Sequence, residues 1–154
     1  MTAGDFTVRP AGAADRSDWI QLRGELWPHV SPERSDSDIS DMLARGWCCV
    51  MARDAEGHAV GFAEASLRHD YVNGCKTSPV AFLEGIYVVP AARRHGVARQ
   101  LAQAIEAWAA SKGCTELASD AALDNAASHA MHGALGFEET QRVVYFRKPL
   151  RSAE

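Results

Sequence analysis

The run Leu83-Glu84-Gly85-Ile86-Tyr87-Val88-Val89-Pro90, leading into Arg93-Arg94-His95-Gly96-Val97-Ala98, constrains the fold of this 154-residue chain more than any other segment. Its apolar, β-branched residues predict a buried strand that Pro90 closes. Glu84-Gly85 marks an expected bulge. Beyond a short turn, Val97, Leu101, Ile105 and Trp108 recur at helical spacing, so a helix is expected from Gly96 to Ser111. The junction, R-x-x-G-x-A, holds no carboxylate. Backbone N–H groups in the first turn of a helix lack intrahelical partners and sit at the positive end of its dipole. Gly96 leaves them uncovered, and Arg93, Arg94 and Arg99 add charge, so the corner suits a pyrophosphate. Those six residues alone serve equally well as a plain strand–turn–helix corner with solvated arginines. Neither G-x-G-x-x-G nor G-x-x-x-x-G-K-[ST] occurs in the chain.

Elsewhere the pattern is strand-rich at first and then alternates. Residues 6–9 read as a strand. Asp15 stands where it would cap a helix carrying Trp19, Leu22 and Leu26 on one face and ending at Pro28. A polar stretch, 31–37, leads to a short helix over 39–44. Residues 46–51 and 59–67, joined by a turn at 54–57, form a hairpin. A polar loop with an Asn73-Gly74 turn covers 69–78. After the central strand and its helix come a Gly113 cap, a strand at 116–119, and a helix over 125–135 ended by Gly136. Residues 139–148 supply the last strand or strands. This order predicts one α/β (α+β) domain over 1–154, with a mixed, mostly antiparallel sheet and helices on both faces.

Hydrophobic content of 47% and charged content of 23% are ordinary for a globular domain. With no span-length apolar segment and no leader pattern, no membrane is expected, and a cytoplasmic location is. Cys48, Cys49, Cys75 and Cys114 show no metal-site spacing. They read as small, reduced hydrophobes, with Cys48 and Cys49 pointing to opposite faces of a strand. A net charge of −4 without a basic stripe argues against nucleic acid and is compatible with a cationic substrate.

On these residues the chain resembles the GNAT superfamily of acetyl-CoA-dependent N-acetyltransferases, whose mark is Q/R-x-x-G-x-G/A after a bulged strand. Within it, the chain is similar to the aminoglycoside 6'-N-acetyltransferases of type I. That likeness rests on Leu26-Trp27-Pro28, the run from Ala65 through Arg68-His69-Asp70-Tyr71-Val72-Asn73-Gly74-Cys75, Phe82-Leu83-Glu84-Gly85-Ile86, Leu117-Ala118-Ser119-Asp120, and Gly136-Phe137-Glu138-Glu139-Thr140. The resemblance implies a V-shaped cleft where the strands ending near Val89 and Ser119 splay apart. It implies acetyl-CoA as co-substrate, no metal, an aminoglycoside acceptor and a homodimer. Ile86, Tyr87 and Val88 would pair through their backbones with the pantetheine arm, the Val88 N–H facing the thioester carbonyl. Arg93, Arg94, His95, Gly96, Val97, Ala98 and Arg99 would hold the pyrophosphate, and Asn125 would fix the arm from the far side. Trp27, His29, Tyr71, Glu84, Asp120 and Gln141 fall to the substrate.

Acetyl transfer to an amine needs a positioned thioester, a deprotonated amine, a donor for the developing oxyanion and a proton for the leaving thiolate. Carboxylates in a partly dry cleft both attract an ammonium and accept its proton. Glu84 stands inside an apolar strand, where Glu is rare unless paired. Asp120 ends the facing strand, a position that also suits a cap or a loop. Three departures from the family pattern stand out. His132 replaces the Tyr of N-x-x-A-x-x-x-Y-x-x-x-G-F, and either donates the thiolate's proton or packs. Gln141 stands where close members carry a further Glu. The family's His after Trp-Pro-x is displaced: His29 follows Pro28 directly and Val30 takes the matching place. The rival readings are a GNAT enzyme for a polyamine or a protein N-terminus, and a non-catalytic acyl-CoA-binding regulator.

Overall fold

Five strands lie side by side in chain order in the computed structural model, which describes residues 3–152. β1 (Thr7–Pro10), β2 (Cys48–Arg53), β3 (Ala59–Arg68) and β4 (Val80–Val88) pair antiparallel, while β5 (Leu117–Ser119) runs parallel to β4. A parallel neighbour needs a crossover. α3 (Val97–Ser111) supplies it, burying Leu101 and Ile105 against Ala63, Leu83, Ile86 and Val88. α4 (Ala126–Ala134) adds Met131 to that face, followed by Leu135 and Phe137. α1 (Arg16–Leu26) and α2 (Pro32–Ala44) cover the opposite face, where Trp19, Leu22, Ile39 and Met42 meet Cys49, Met51 and Phe62. The mixed, mostly antiparallel sheet with helices on both faces is therefore as expected. Cys48 packs on the α3 side and Cys49 on the α1 side, as pleating requires. No helix among the described residues is long and apolar enough to cross a membrane.

The bulge falls where the sequence puts it. Glu64 pairs with Gly85 and Ala65 with Leu83, so Glu84 is the extra residue on β4.

Three expectations need correction. α2 begins at Pro32 rather than near Ile39, because Ser31 Oγ accepts the Arg34 N–H at 3.1 Å and Pro32 occupies the first turn. Its polar stretch belongs to the helix, exposed except at the buried Ser35. Asp15 sits at the start of α1 without capping it; its carboxylate takes the Gly12 N–H at 2.8 Å and Arg53 at 2.6 Å instead. The final strand does not form: residues 137–152 carry no helix or strand. Thr140 abuts Gly74 in the β3–β4 loop, and beyond it Tyr145 and Phe146 are 82% and 92% exposed. Val143-Val144-Tyr145-Phe146 has strong β preference, but a strand exists only when another strand takes its hydrogen bonds.

Candidate active site

β4 outruns its parallel neighbour. Ser119, the last residue of β5, stands opposite Leu83, while β4 continues to Val88. On the β3 side, the Val89 N–H donates to the Val60 carbonyl at 2.8 Å. The Val88 carbonyl faces away, since Arg93 Nε donates to it at 2.8 Å. Backbone direction alternates along a strand, so Val88 and Ile86 turn their backbone groups toward the gap beyond β5. Their side chains are buried in the α3-side core, so only the backbone serves the gap. An unpaired strand edge inside a sheet is a template for an extended, amide-bearing arm.

The gap ends on the R-x-x-G-x-A corner. Arg94 has φ 65°, unusual for a residue with a side chain, and Gly96 has φ 80° at the N-cap of α3. Gly96 has no side chain with which to cap that helix. Left-handed residues on either side of His95, followed by a first helical turn whose N–H groups lack intrahelical partners, make the corner suited to an anion. The side chains of this segment divide differently from the sequence expectation. Arg93 is folded back on Val88, its guanidinium 5.6 Å from the Tyr87 ring centre. His95 stacks on Phe6, Val97 is core, and Arg99 donates to the Ala134 carbonyl at 3.2 Å. Arg94 is exposed at the mouth. Backbone groups and Arg94 thus remain for an anion, and the other side chains frame the corner.

At the other end of the open β4 edge, Glu84 is ion-paired. Arg68 Nη2 reaches its two oxygens at 2.5 and 3.2 Å, and the Arg68 guanidinium lies 3.4 Å over the Phe82 ring centre. Trp27 ends α1, half-buried, with its ring against Gly85 beside Glu84. Asp120 is exposed immediately after β5. Tyr71 is 75% exposed in the loop that Thr140 touches, which places Gln141 next to that loop. His29 is exposed in the turn after α1 and is apart from these contacts. Asn125 is the N-cap of α4, its Oδ1 accepting the Ser128 N–H at 3.1 Å.

His132 is not a free acid. Its Nδ1 lies 2.7 Å from the Ser128 carbonyl, which only accepts, so Nδ1 carries hydrogen. Its Nε2 meets Ser119 Oγ at 2.8 Å, and that hydroxyl also reaches the Leu83 carbonyl at 3.2 Å. The ring, set edge-on to Phe137, ties α4 to the point where β4 and β5 part.

Sequence reading passed over a buried cluster beneath this site. Glu64, 1% exposed on β3, accepts Trp19 Nε1 at 2.8 Å and Arg23 Nη1 at 2.5 and 2.6 Å. Burial pushes the Glu64 carboxyl up, against the pull of the Arg23 guanidinium. The reasoning applied to Glu84, a Glu inside an apolar strand, picks out Glu64 in Phe62-Ala63-Glu64-Ala65 equally well. A depression of about 620 Å³ lined by Thr7, Arg9, Arg53 and Asp54 holds none of the cleft residues. Asp54, Glu56 and His58 gather at the β2–β3 turn, where Asp54 serves the backbone N–H groups of Glu56 and His58.

The thiols are poorly placed as nucleophiles. Burial lifts Cys48 to about 11 and raises Cys49 further. Incubation with acetyl donor is expected to leave all four cysteines unacetylated by intact mass; an acetylated cysteine would refute a direct-transfer site.

Comparison with known proteins bears on the same residues. The model of the Acetyltransferase (GNAT) family matches residues 16–137. The "Aminoglycoside N(6')-acetyltransferase type 1" of Acinetobacter haemolyticus is 48% identical over 151 residues, covering 94% of this chain and 99% of that protein. The crystal structure of the aminoglycoside antibiotic 6'-N-acetyltransferase AAC(6')-Ih from Acinetobacter baumannii aligns with a TM-score of 0.90 at 46% identity, over 94% of this chain and 99% of its own. AAC(6')-Iy, solved in complex with the bisubstrate analogue CoA-S-monomethyl-acetylneamine, aligns with a TM-score of 0.89 at 44% identity, over 94% of this chain and 99% of its own.

Proposed function

The chain belongs to the GNAT acetyltransferase family, and from that premise we propose that it is an aminoglycoside 6'-N-acetyltransferase. It passes the acetyl group of acetyl-CoA directly to the drug's 6'-amine and so confers resistance. The observation that carries this reading is the open β4 edge, running from Glu84 and Trp27 at one end to the uncapped Gly96 corner at the other.

Both ends fit their partners. The backbone groups of Ile86 and Val88 suit an amide-bearing pantetheine arm, whereas Tyr87, paired with Phe62, turns its own to β3 and is corrected from that role; the corner at 93–99 suits a pyrophosphate. Asn125 flanks the arm at the head of α4. When bound, acetyl-CoA supplies an activated acetyl thioester. The Val88 N–H is assigned to the carbonyl oxygen on which negative charge grows. Glu84 and Asp120 hold the drug's ammonium groups and take the proton that the attacking amine must lose. Trp27, His29, Tyr71 and Gln141 are assigned to the surrounding wall. His132 meets the cleft only through the Ser119 hydroxyl, so any proton it gives a leaving thiolate passes through that group.

We assign the active unit to a single domain in a homodimer. The apolar tail, without a strand partner among the described residues, supports the dimer. Four free cysteines are in keeping with a reducing cytoplasm. Release of free thiol from acetyl-CoA, measured against kanamycin, tobramycin, spermidine and a peptide amine, tests the function. Turnover with the two drugs well above the others is expected. A preference for spermidine or the peptide, or no turnover with any amine, would overturn the reading.

A further inference from the structure

The Arg23 guanidinium is held along every edge of its plane. Nε donates to Ser35 Oγ at 3.1 Å, Nη1 to both oxygens of Glu64, and Nη2 to Asp38 Oδ2 at 3.1 Å. Asp38 also receives Arg34 Nε at 3.0 Å. Arg23, Ser35 and Glu64 are 5%, 1% and 1% exposed. In-plane partners on all edges fix the orientation of the plane and leave only its faces free. One face meets the Trp27 ring, with the guanidinium carbon 4.8 Å from the ring centre. The Arg23 main chain holds the same residue, its carbonyl accepting the Trp27 N–H at 2.8 Å.

The six-membered ring of that indole lies against a glycine. A Cβ on Gly85 would stand 2.5 Å from Trp27 Cη2 and 2.7 Å from Cζ2, so the ring touches the β4 backbone directly. Gly85 pairs with Glu64 across the β3–β4 ladder at the bulge that inserts Glu84. A single buried network thus touches the indole and, through Glu64, reaches the strand position opposite the bulge next to Glu84. A buried ion pair seldom improves stability over a well-packed apolar core, because desolvation offsets most of the attraction. Its value here is geometric.

We propose that Arg23, locked in plane by Glu64, Ser35 and Asp38, is a positioning residue that presses the Trp27 indole onto Gly85 and so shapes the acceptor wall beside Glu84. This rests on the assignment of Trp27 to the acceptor under the proposed function. Lysine at 23 keeps the charge but has neither the fork nor the flat face.

Steady-state kinetics with acetyl-CoA and kanamycin on R23K, W27A, the double variant and E64Q test it, with fluorine NMR of 5-fluorotryptophan protein alongside. The Trp27 resonance is assigned by its loss in W27F. R23K is expected to raise the kanamycin KM about 3- to 30-fold, the span of a cation–π contact, to leave the acetyl-CoA KM within about twofold, and to shift the Trp27 resonance. In the W27A background R23K should add nothing to the kanamycin KM. If R23K fails to fold, E64Q, which keeps the shape and removes the charge, carries the same readouts. A Trp27 resonance unmoved by R23K or E64Q overturns the positioning role. So does an equal rise in both KM values, or an R23K effect that persists without Trp27. A moved resonance with W27A leaving the kanamycin KM unchanged would instead overturn the acceptor assignment of Trp27.

Discussion

Gly96→Val is expected to raise the acetyl-CoA KM by about 10²- to 10³-fold while the protein stays folded. The residue holds φ 80° at the N-cap of α3, where a β-branched side chain meets the full cost of left-handed backbone, roughly 1–2 kcal/mol. Relaxing that strain moves the first-turn N–H groups, and each charge-assisted bond they make to a phosphate is worth about 1.5–3 kcal/mol. Together these span the stated range. A protein with ordinary stability of about 5–15 kcal/mol survives such strain, so circular dichroism should show native structure. Kanamycin KM should hardly move. Unaltered acetyl-CoA affinity by calorimetry, in a folded variant, would remove the corner from the cofactor site.

Asp120→Asn and Glu84→Gln are expected to cut drug turnover by about 10- to 100-fold each, with acetyl-CoA binding close to wild type. Every carboxylate that meets an ammonium contributes about 1.5–3 kcal/mol through a charge-assisted bond, and that range sets the estimate. The two differ in an instructive way. Glu84 is part-buried and paired with Arg68, so its neutralisation also leaves an unbalanced cation facing a cationic drug. Asp120 is exposed, so its effect should shrink as salt rises, while that of Glu84 should persist. Equal turnover of kanamycin by both variants and wild type would mean that the cleft serves a less charged amine.

Most of the frame was legible in the chain because its signals are local. The strand that ends at Val88, its bulge at Glu84-Gly85, and the helix after Gly96 follow from periodicity and from one glycine that accepts left-handed backbone. Trp19 and Leu22 mark α1 in the same way. Polar residues hid the start of α2, since Ser31, Glu33 and Arg34 read only as a polar stretch before the helix until the cap at Ser31 is seen. The tail at 139–148 misled for the opposite reason: its residues favour a strand, but pairing is not a local property.

By itself, then, the sequence determined the order of elements, the two faces of the sheet and the chemistry available at the cleft, because side-chain period and backbone permissiveness act within a few residues. The tertiary structure decided which of those groups are at liberty to act. Contacts between elements gave Arg68 to Glu84 and Ser119 to His132, and the turn after β4 gave the Val88 carbonyl to Arg93, removing three polar side chains from simple roles. It also joined Arg23 to Glu64, forty-one positions apart, under Trp27. A buried charge must find its partner wherever the fold brings one, and no spacing in the chain announces that choice.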